Sequence, residues 1–340
     1  MSLPNTTRRW VLTSLEGPDA LKLESVELSP PGPNEIVVKM AAWSLNYRDL
    51  VQTQGYYPSP LPLPFVPISD GAGLVVATGE KVKRLRPGDK VFTIFKSNWV
   101  SGRLKDEDEA SSIASPDVPG VLAEYVVLGE NFWSLMPETL TYLEASTLPI
   151  AGVTAWNALY GSIESRLLPG QSVLTEGTGG FAKAGGAKVI ATTSSAKKAE
   201  TLKSLGVDHI INYNDVPEWV DEVKIATKNK GVDLVVEVGG GNTMRKAMKS
   251  VKTDGSIAIV GFVSAFRDPQ PTALEMFFSK ASFRTIHCGS VEHLNQMCAA
   301  IEQYGIKPYI GKVFKFEDVI KAYKCMSEED FTGKICISME

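Results

Sequence analysis

The spacing of apolar positions changes near residue 141. Before it, short apolar runs at residues 36–40, 73–77 and 90–94 are separated by turn signals such as Pro30-Pro31-Gly32-Pro33 and Pro87-Gly88-Asp89. Proline fixes φ and removes a backbone donor, so these clusters end strands and the first part of the chain reads as β-rich. The stretch 96–119, with Lys105-Asp106-Glu107-Asp108-Glu109 ahead of Ala110-Ser111-Ser112, reads as an exposed loop. From Thr141 the texture becomes helical at 142–148 and 152–160. Aliphatic strands are then expected at 172–175, 188–192, 209–211, 234–238 and 256–260, alternating with helices at 196–205, 219–227 and 243–251. Strands without polar alternation are buried on both faces, which predicts a doubly wound parallel sheet between helices. A helix at 291–304 and short strands ending at 334–337 close the chain. The 340 residues exceed one ordinary core. The expected domains are 1–150, completed by 288–340, and an α/β domain over 151–287.

Charge and cysteine usage narrow the function classes. Net charge is −4 and no long basic run occurs, which argues against nucleic acid as a partner. The first ten residues lack the apolar stretch of a signal peptide, and no run of ~18 apolar residues exists to span a membrane. The four cysteines, Cys288, Cys298, Cys325 and Cys336, form no CxxC pair, as expected of reduced thiols in the cytoplasm. The histidines are His209, His287 and His293, so the first 208 residues hold neither usual soft zinc ligand and no metal is expected there. A small-molecule substrate fits this picture, and a homodimer is compatible with it.

The candidate chemistry lies at strand ends. Ser172-Val173-Leu174-Thr175 runs into Glu176-Gly177-Thr178-Gly179-Gly180, a glycine turn that lets backbone approach a pyrophosphate before a helix N-terminus. A tight turn without a ligand has the same appearance. The next strand ends in Thr192-Thr193-Ser194-Ser195-Ala196-Lys197-Lys198 rather than in the acidic residue that binds an NAD ribose. Hydroxyls and lysines suit a 2′-phosphate, so NADP(H) is the expected cofactor; the competing reading is a serine N-cap with a solvated lysine pair. Two later strands end in Glu237-Val238-Gly239-Gly240-Gly241 and Val260-Gly261-Phe262. Ligands of parallel sheets lie at carboxyl ends of strands, so three glycine-bearing ends are more specific than one.

The order of motifs resembles the medium-chain dehydrogenase/reductase superfamily, nearest its zinc-free quinone oxidoreductase and enoyl reductase branch and the fungal zinc-type alcohol dehydrogenase-like proteins. Leu45-Asn46-Tyr47-Arg48-Asp49-Leu50, Ser69-Asp70-Gly71-Ala72-Gly73, Arg86-Pro87-Gly88-Asp89-Lys90-Val91, Leu148-Pro149, Thr154-Ala155-Trp156 and Gly333-Lys334-Ile335 carry the resemblance over nearly the whole chain. It implies a GroES-like catalytic domain beside a Rossmann dinucleotide-binding domain. Zinc-dependent relatives have a Cys near Asn46, a Gly-His-Glu at 69–71 and a four-cysteine lobe near 96–119; this chain has none of them. The resemblance places Asn46, Tyr47 and Thr154 toward the nicotinamide, Ser194, Lys198 and Tyr213 at the 2′-phosphate, Gly261 and Phe262 along the nicotinamide pocket, and Lys334 against the cofactor. Gly177, Thr178, Gly179, Gly180 and Gly239 would carry the phosphate turns. Gly55-Tyr56-Tyr57-Pro58 matches a segment whose tyrosine is a proton donor in enoyl reductase relatives, which makes Tyr57 the candidate here; Tyr56 and Tyr57 read equally well as rim aromatics.

One departure matters. Relatives carry about seven more residues between the glycines and the Phe181-Ala182-Lys183-Ala184 segment. Only twelve residues, Glu176 to Ala187, join the first two strands of the expected sheet. A returning helix rises about 1.5 Å per residue and needs about 11 residues to span a strand of roughly 17 Å, so the crossover at 177–187 leaves room for about one turn. Residues have been lost from this chain, or the domain folds with a distorted crossover, or the chain has left catalysis. Two functions are therefore expected: an NADPH-dependent reductase of an activated C=C, quinone or carbonyl, working without zinc, or a cofactor-impaired binding protein on the same fold.

Overall fold

A computed structural model describes residues 3–175, 180–261, 269–328 and 331–340. The candidate residues Gly177, Thr178, Gly179 and Phe262 lie outside the described residues. Fifteen strands are named among the described residues. β1 (Thr6–Leu12), β2 (Leu21–Glu27), β3 (Glu35–Ser44), β4 (Asp70–Thr78), β5 (Lys90–Thr93), β6 (Tyr125–Gly129) and β7 (Trp133–Leu135) come first. β8 (Ser172–Thr175), β9 (Lys188–Thr193), β10 (His209–Asn212), β11 (Val232–Glu237), β12 (Val251–Ile259) and β13 (Ser282–Thr285) follow, then β14 (Ile310–Lys315) and β15 (Lys334–Ser338). The chain divides into two compact units, Met1–Val153 with Ser290–Glu340, and Thr154–Gly289.

In the first unit β14, β15, β3, β4, β5 and β7 lie side by side, with β6 on β3. β14 is parallel to β15, and β15, β3, β4 and β5 pair antiparallel. β3 is almost wholly buried, because strands pair with it on both sides and a core packs on it. That core gathers Trp43, Trp133, Phe316 and Tyr323, all fully buried. The indole N–H of Trp43 donates to Val121 O at 2.6 Å and that of Trp10 to Phe316 O at 3.0 Å, so both large rings are buried with their polar edge satisfied.

The stretch 96–119, expected as an exposed loop, is buried over about a third of its length. Lys96, Ser97, Trp99 and Ser111 to Ala114 are buried, and a short helix spans Asp106–Glu109. Its charges are used locally: Asp108 Oδ2 accepts from the Lys105 amide at 2.9 Å, and buried Lys96 pairs with Glu109 at 2.5 Å. A polar sequence was therefore compatible with burial, because Lys96 and Asp108 find partners within the segment.

In the second unit the strand order is β10-β9-β8-β11-β12-β13, every pairing parallel. Counted from β8 this is 3-2-1-4-5-6, the doubly wound Rossmann order, which reverses direction between β8 and β11. Val173, Leu174, Val189, Ile190, Val235 and Ile257 are fully buried, as strands covered on both faces must be. Among its described residues, the shortened crossover holds one five-residue helix, Gly180–Ala184. Beside it Trp156 of the helix Val153–Tyr160 meets Phe181 edge-on at 5.8 Å between centroids and packs against Tyr160 at 4.7 Å. Tyr160 Oη donates to Phe181 O at 2.9 Å. Aromatic bulk and Ala158, Leu159 and Ala182 thus cover sheet surface that a longer helix would have covered.

Candidate functional site

The polar centre of the first unit forms around the helix Tyr47–Thr53. Asn46 is its N-cap, and the Asn46 amide donates to Asp49 Oδ2 at 2.7 Å, the reciprocal half of a capping box. Lys334, on β15, reaches under this cap: its Nζ donates to Leu45 O at 2.7 Å and to Asn46 Oδ1 at 2.6 Å. Asp70, the first residue of β4, is fully buried and accepts from Ser69 Oγ at 2.8 Å and the Ile150 amide at 3.2 Å. Asn46 Nδ2 is buried on the side of the Asp70 carboxylate and favours its ionised form.

Burial sets the electrostatics of this cluster. It pushes the Asp49 carboxyl up to about 6, against the pull of Arg48 and the Asn46 amide. It raises Asp70 and lowers Lys334, and the attraction between those two opposes both shifts. Tyr323 is driven well above the ordinary phenol range by burial and by Asp49. Two carboxylates, one ammonium and the Arg48 guanidinium therefore form a charge-balanced group that holds its net charge only together.

Of the first unit's candidates, Asn46 and Lys334 are bonded to each other, Tyr47 follows Asn46 and is 41% exposed, and Tyr57 lies against the Arg48 guanidinium. Lys334 spends its donors on Leu45 and Asn46. Arg48, Asp49 and Asp70 stood within quoted motifs, but nothing local marked them as one cluster.

In the second unit a cavity of about 340 Å³ opens at the carboxyl ends of β9, β10 and β11. Its lining includes Thr192, Tyr213, Trp219, Gly239, Thr243 and Lys246. Tyr213 follows β10 and its amide donates to Thr193 O at 2.9 Å. Glu237, fully buried at the end of β11, accepts at Oε1 from the amides of Gly239 (3.1 Å) and Gly240 (2.8 Å) and from Thr243 Oγ1 (2.5 Å). These bonds shape the glycine loop from beneath. A Cβ on Gly239 would collide with Thr243, and one on Gly261 would lie 2.7 Å from Val238 O, so both strand ends need glycine for close approach.

Ser194 and Lys198 do not line this cavity. Ser194 offers its carbonyl to Asn214 Nδ2 at 2.7 Å, and Ser195 caps the next helix by accepting from the Lys198 amide at 3.3 Å. Thr154 is buried in the helix Val153–Tyr160, and Gly180 starts the short crossover helix. Trp219 and Lys246 were missed by sequence reasoning. Lys246 donates to Pro217 O at 2.5 Å and lies 6.0 Å from the Trp219 ring, contacts between a helix and a distant turn that no local pattern encodes.

The cavity sits where parallel strands end, beside the order reversal, with aromatic walls, a cation and one close-approach glycine, Gly239, a lining that could hold the adenosine end of a dinucleotide. Among the described residues no group of three or more His, Cys, Asp or Glu side chains is placed to hold a metal, and no helix is long and apolar enough to cross a membrane.

Residues 32–138 match the alcohol dehydrogenase GroES-like domain, and residues 177–303 match the zinc-binding dehydrogenase model. The zinc-type alcohol dehydrogenase-like protein C1773.06c of Schizosaccharomyces pombe is 38% identical, over 98% of this chain and 99% of its own length. The 2-methylene-furan-3-one reductase of Solanum lycopersicum is 30% identical, over 99% of this chain and 80% of its own. A solved structure from Sinorhizobium meliloti 1021 that carries the name alcohol dehydrogenase superposes with a TM-score of 0.91 at 34% identity, covering 99% of this chain and 100% of that one.

Proposed function

Because the chain belongs to the medium-chain dehydrogenase/reductase superfamily of oxidoreductases, we propose that it is an NADPH-dependent reductase of an activated C=C bond, a quinone or a carbonyl, working in the cytoplasm on a small molecule. The observation that carries this reading is the cavity at the ends of β9–β11, with Tyr213 and Lys246 on its walls. The resemblance to a reductase of a conjugated furanone supports the substrate class.

When bound, the cofactor supplies the hydride. The chain's part is to hold it and to manage the proton. Thr192, Tyr213, Trp219 and Lys246 would hold the adenosine end, with Ser194 and Lys198 adding charge and hydroxyls near a 2′-phosphate. Gly239, Gly261 and Gly180 let backbone approach, and Thr154, Asn46 and Tyr47 serve the reacting end. Tyr57 donates the proton to the α-carbon of the substrate. The absence of Cys and His from the first 208 residues supports zinc-free chemistry. Without a Lewis acid on an isolated carbonyl, a conjugated acceptor is the favoured substrate.

The five-residue helix Gly180–Ala184 favours a second reading, a binding protein with impaired cofactor affinity. Thermal unfolding with NADPH and NADH separates the two. A cofactor at 100 times its Kd stabilises the fold by about 2.7 kcal/mol. A larger upward shift with NADPH is expected; no shift with either cofactor would leave only the second reading.

A further inference from the structure

The Arg48 guanidinium lies between two rings. Its Cζ is 5.1 Å from the centroid of Tyr57 and 4.9 Å from that of Phe95. Its terminal nitrogens donate to Ile113 O at 3.3 Å and Ala114 O at 2.8 Å. Gln52 Nε2 donates to the same Ala114 O at 2.8 Å. Phe95, Ile113 and Ala114 are buried, so the guanidinium is clamped by core segments. Tyr57 is half-buried in a stretch whose neighbours, Gln54 to Tyr56 and Pro58 to Pro60, are exposed. The structure gives this tyrosine one aromatic–cation partner that is itself held rigidly.

We propose that Arg48 is the positioning residue for Tyr57, holding its ring at one angle so that the phenol presents its proton to substrate. The inference rests on the reading of Tyr57 as proton donor. As that proton leaves Tyr57 Oη for the α-carbon, hydride having entered at the β-carbon, negative charge develops on the ring and solvent later returns a proton to it. A cation against the ring face meets that charge. Arginine is required because its planar fork stacks on both rings while donating to two carbonyls; lysine keeps the charge but not the geometry.

The test uses the full chain with ring-labelled tyrosine, Tyr57→Phe identifying the Tyr57 signal by NMR. The wild-type signal is expected to differ from that of free tyrosine, and to move to the free value in Arg48→Met and Arg48→Lys. With NADPH and a conjugated enone, Arg48→Met should lower kcat about tenfold to 100-fold with KM little changed. In a Tyr57→Phe background the same substitution should cost nothing further, which a merely structural role would not produce. An unmoved Tyr57 signal in both Arg48 variants, or additive losses in the double variant, would overturn the inference. If Arg48→Met fails to fold, Arg48→Lys carries both readouts. Tyr57→Phe with unchanged kcat sinks the proton-donor reading; a slow Tyr57→Phe beside an unaffected Arg48 variant sinks only the positioning role.

Discussion

The Lys334 ammonium stands 2.6 Å from Asn46 Oδ1, tying the last strand of the chain to the cap of the helix that carries Tyr47 and Arg48. The two residues are 288 positions apart, and between them lie the buried carboxylates of Asp49 and Asp70, which Lys334 attracts. Replacing Lys334 by Met removes the ammonium and leaves two buried acids with only Arg48 to balance them. Breaking such a buried group from one side costs about 3 kcal/mol or more. Denaturant unfolding at pH 7.5 should show that loss; a change within experimental scatter would mean that the acids are not charged there.

Asp49 is expected to make stability depend on pH. Its folded value of about 6 lies above the ordinary 3.8, so the fold favours the protonated form. Stability from this group is full below about pH 4 and falls as pH rises through about 6. Once ionised it costs the fold on the order of 3 kcal/mol. Asp49→Asn keeps an acceptor for the Asn46 amide and removes the charge. The variant should gain on wild type at pH 7.5, by less than that figure because Arg48 loses a partner, and the gain should shrink toward pH 4. A difference independent of pH would show that Asp49 does not titrate in this window.

Cofactor selectivity should divide between two positions. Tyr213→Ala opens one wall of the cavity and should weaken NADPH and NADH alike. Lys198→Ala should weaken NADPH more, because only NADPH carries a 2′-phosphate and a charge-assisted contact is worth about 1.5–3 kcal/mol. Dissociation constants for both cofactors by fluorescence check this. Equal losses at Lys198 would leave the phosphate to Lys246, which lines the cavity.

The five-residue crossover helix should be improvable. Inserting about seven helix-forming residues after Gly180 would supply roughly two further turns and a stronger dipole toward the pyrophosphate. Both Tm and NADPH affinity should rise. An insertion that lowers Tm would show that Trp156, Tyr160 and Phe181 have taken the space permanently.

The aliphatic strands were legible because a strand covered on both faces needs apolar residues throughout, a demand met within a few positions of sequence. The shortened crossover was legible for a similar reason: chain length bounds what twelve residues can span. Glycine-ended strands pointed to the ligand edge of the sheet for the same local cause. The stretch 96–119 was misread because composition records polarity but not whether polar groups satisfy one another, as Lys96 and Glu109 do.

By itself the sequence determined the order of strands and helices, the lack of cysteine and histidine ahead of residue 209, and the glycines at three strand ends. Tertiary structure decided which distant groups meet. Lys334 bonds to Asn46, Arg48 is wedged between Tyr57 and Phe95, and Lys246 rather than Ser194 or Lys198 lines the cavity. Period and propensity act over a few residues, whereas ion pairing and ring stacking depend on which strands pair and which faces pack, and that is chosen by burial over the whole chain.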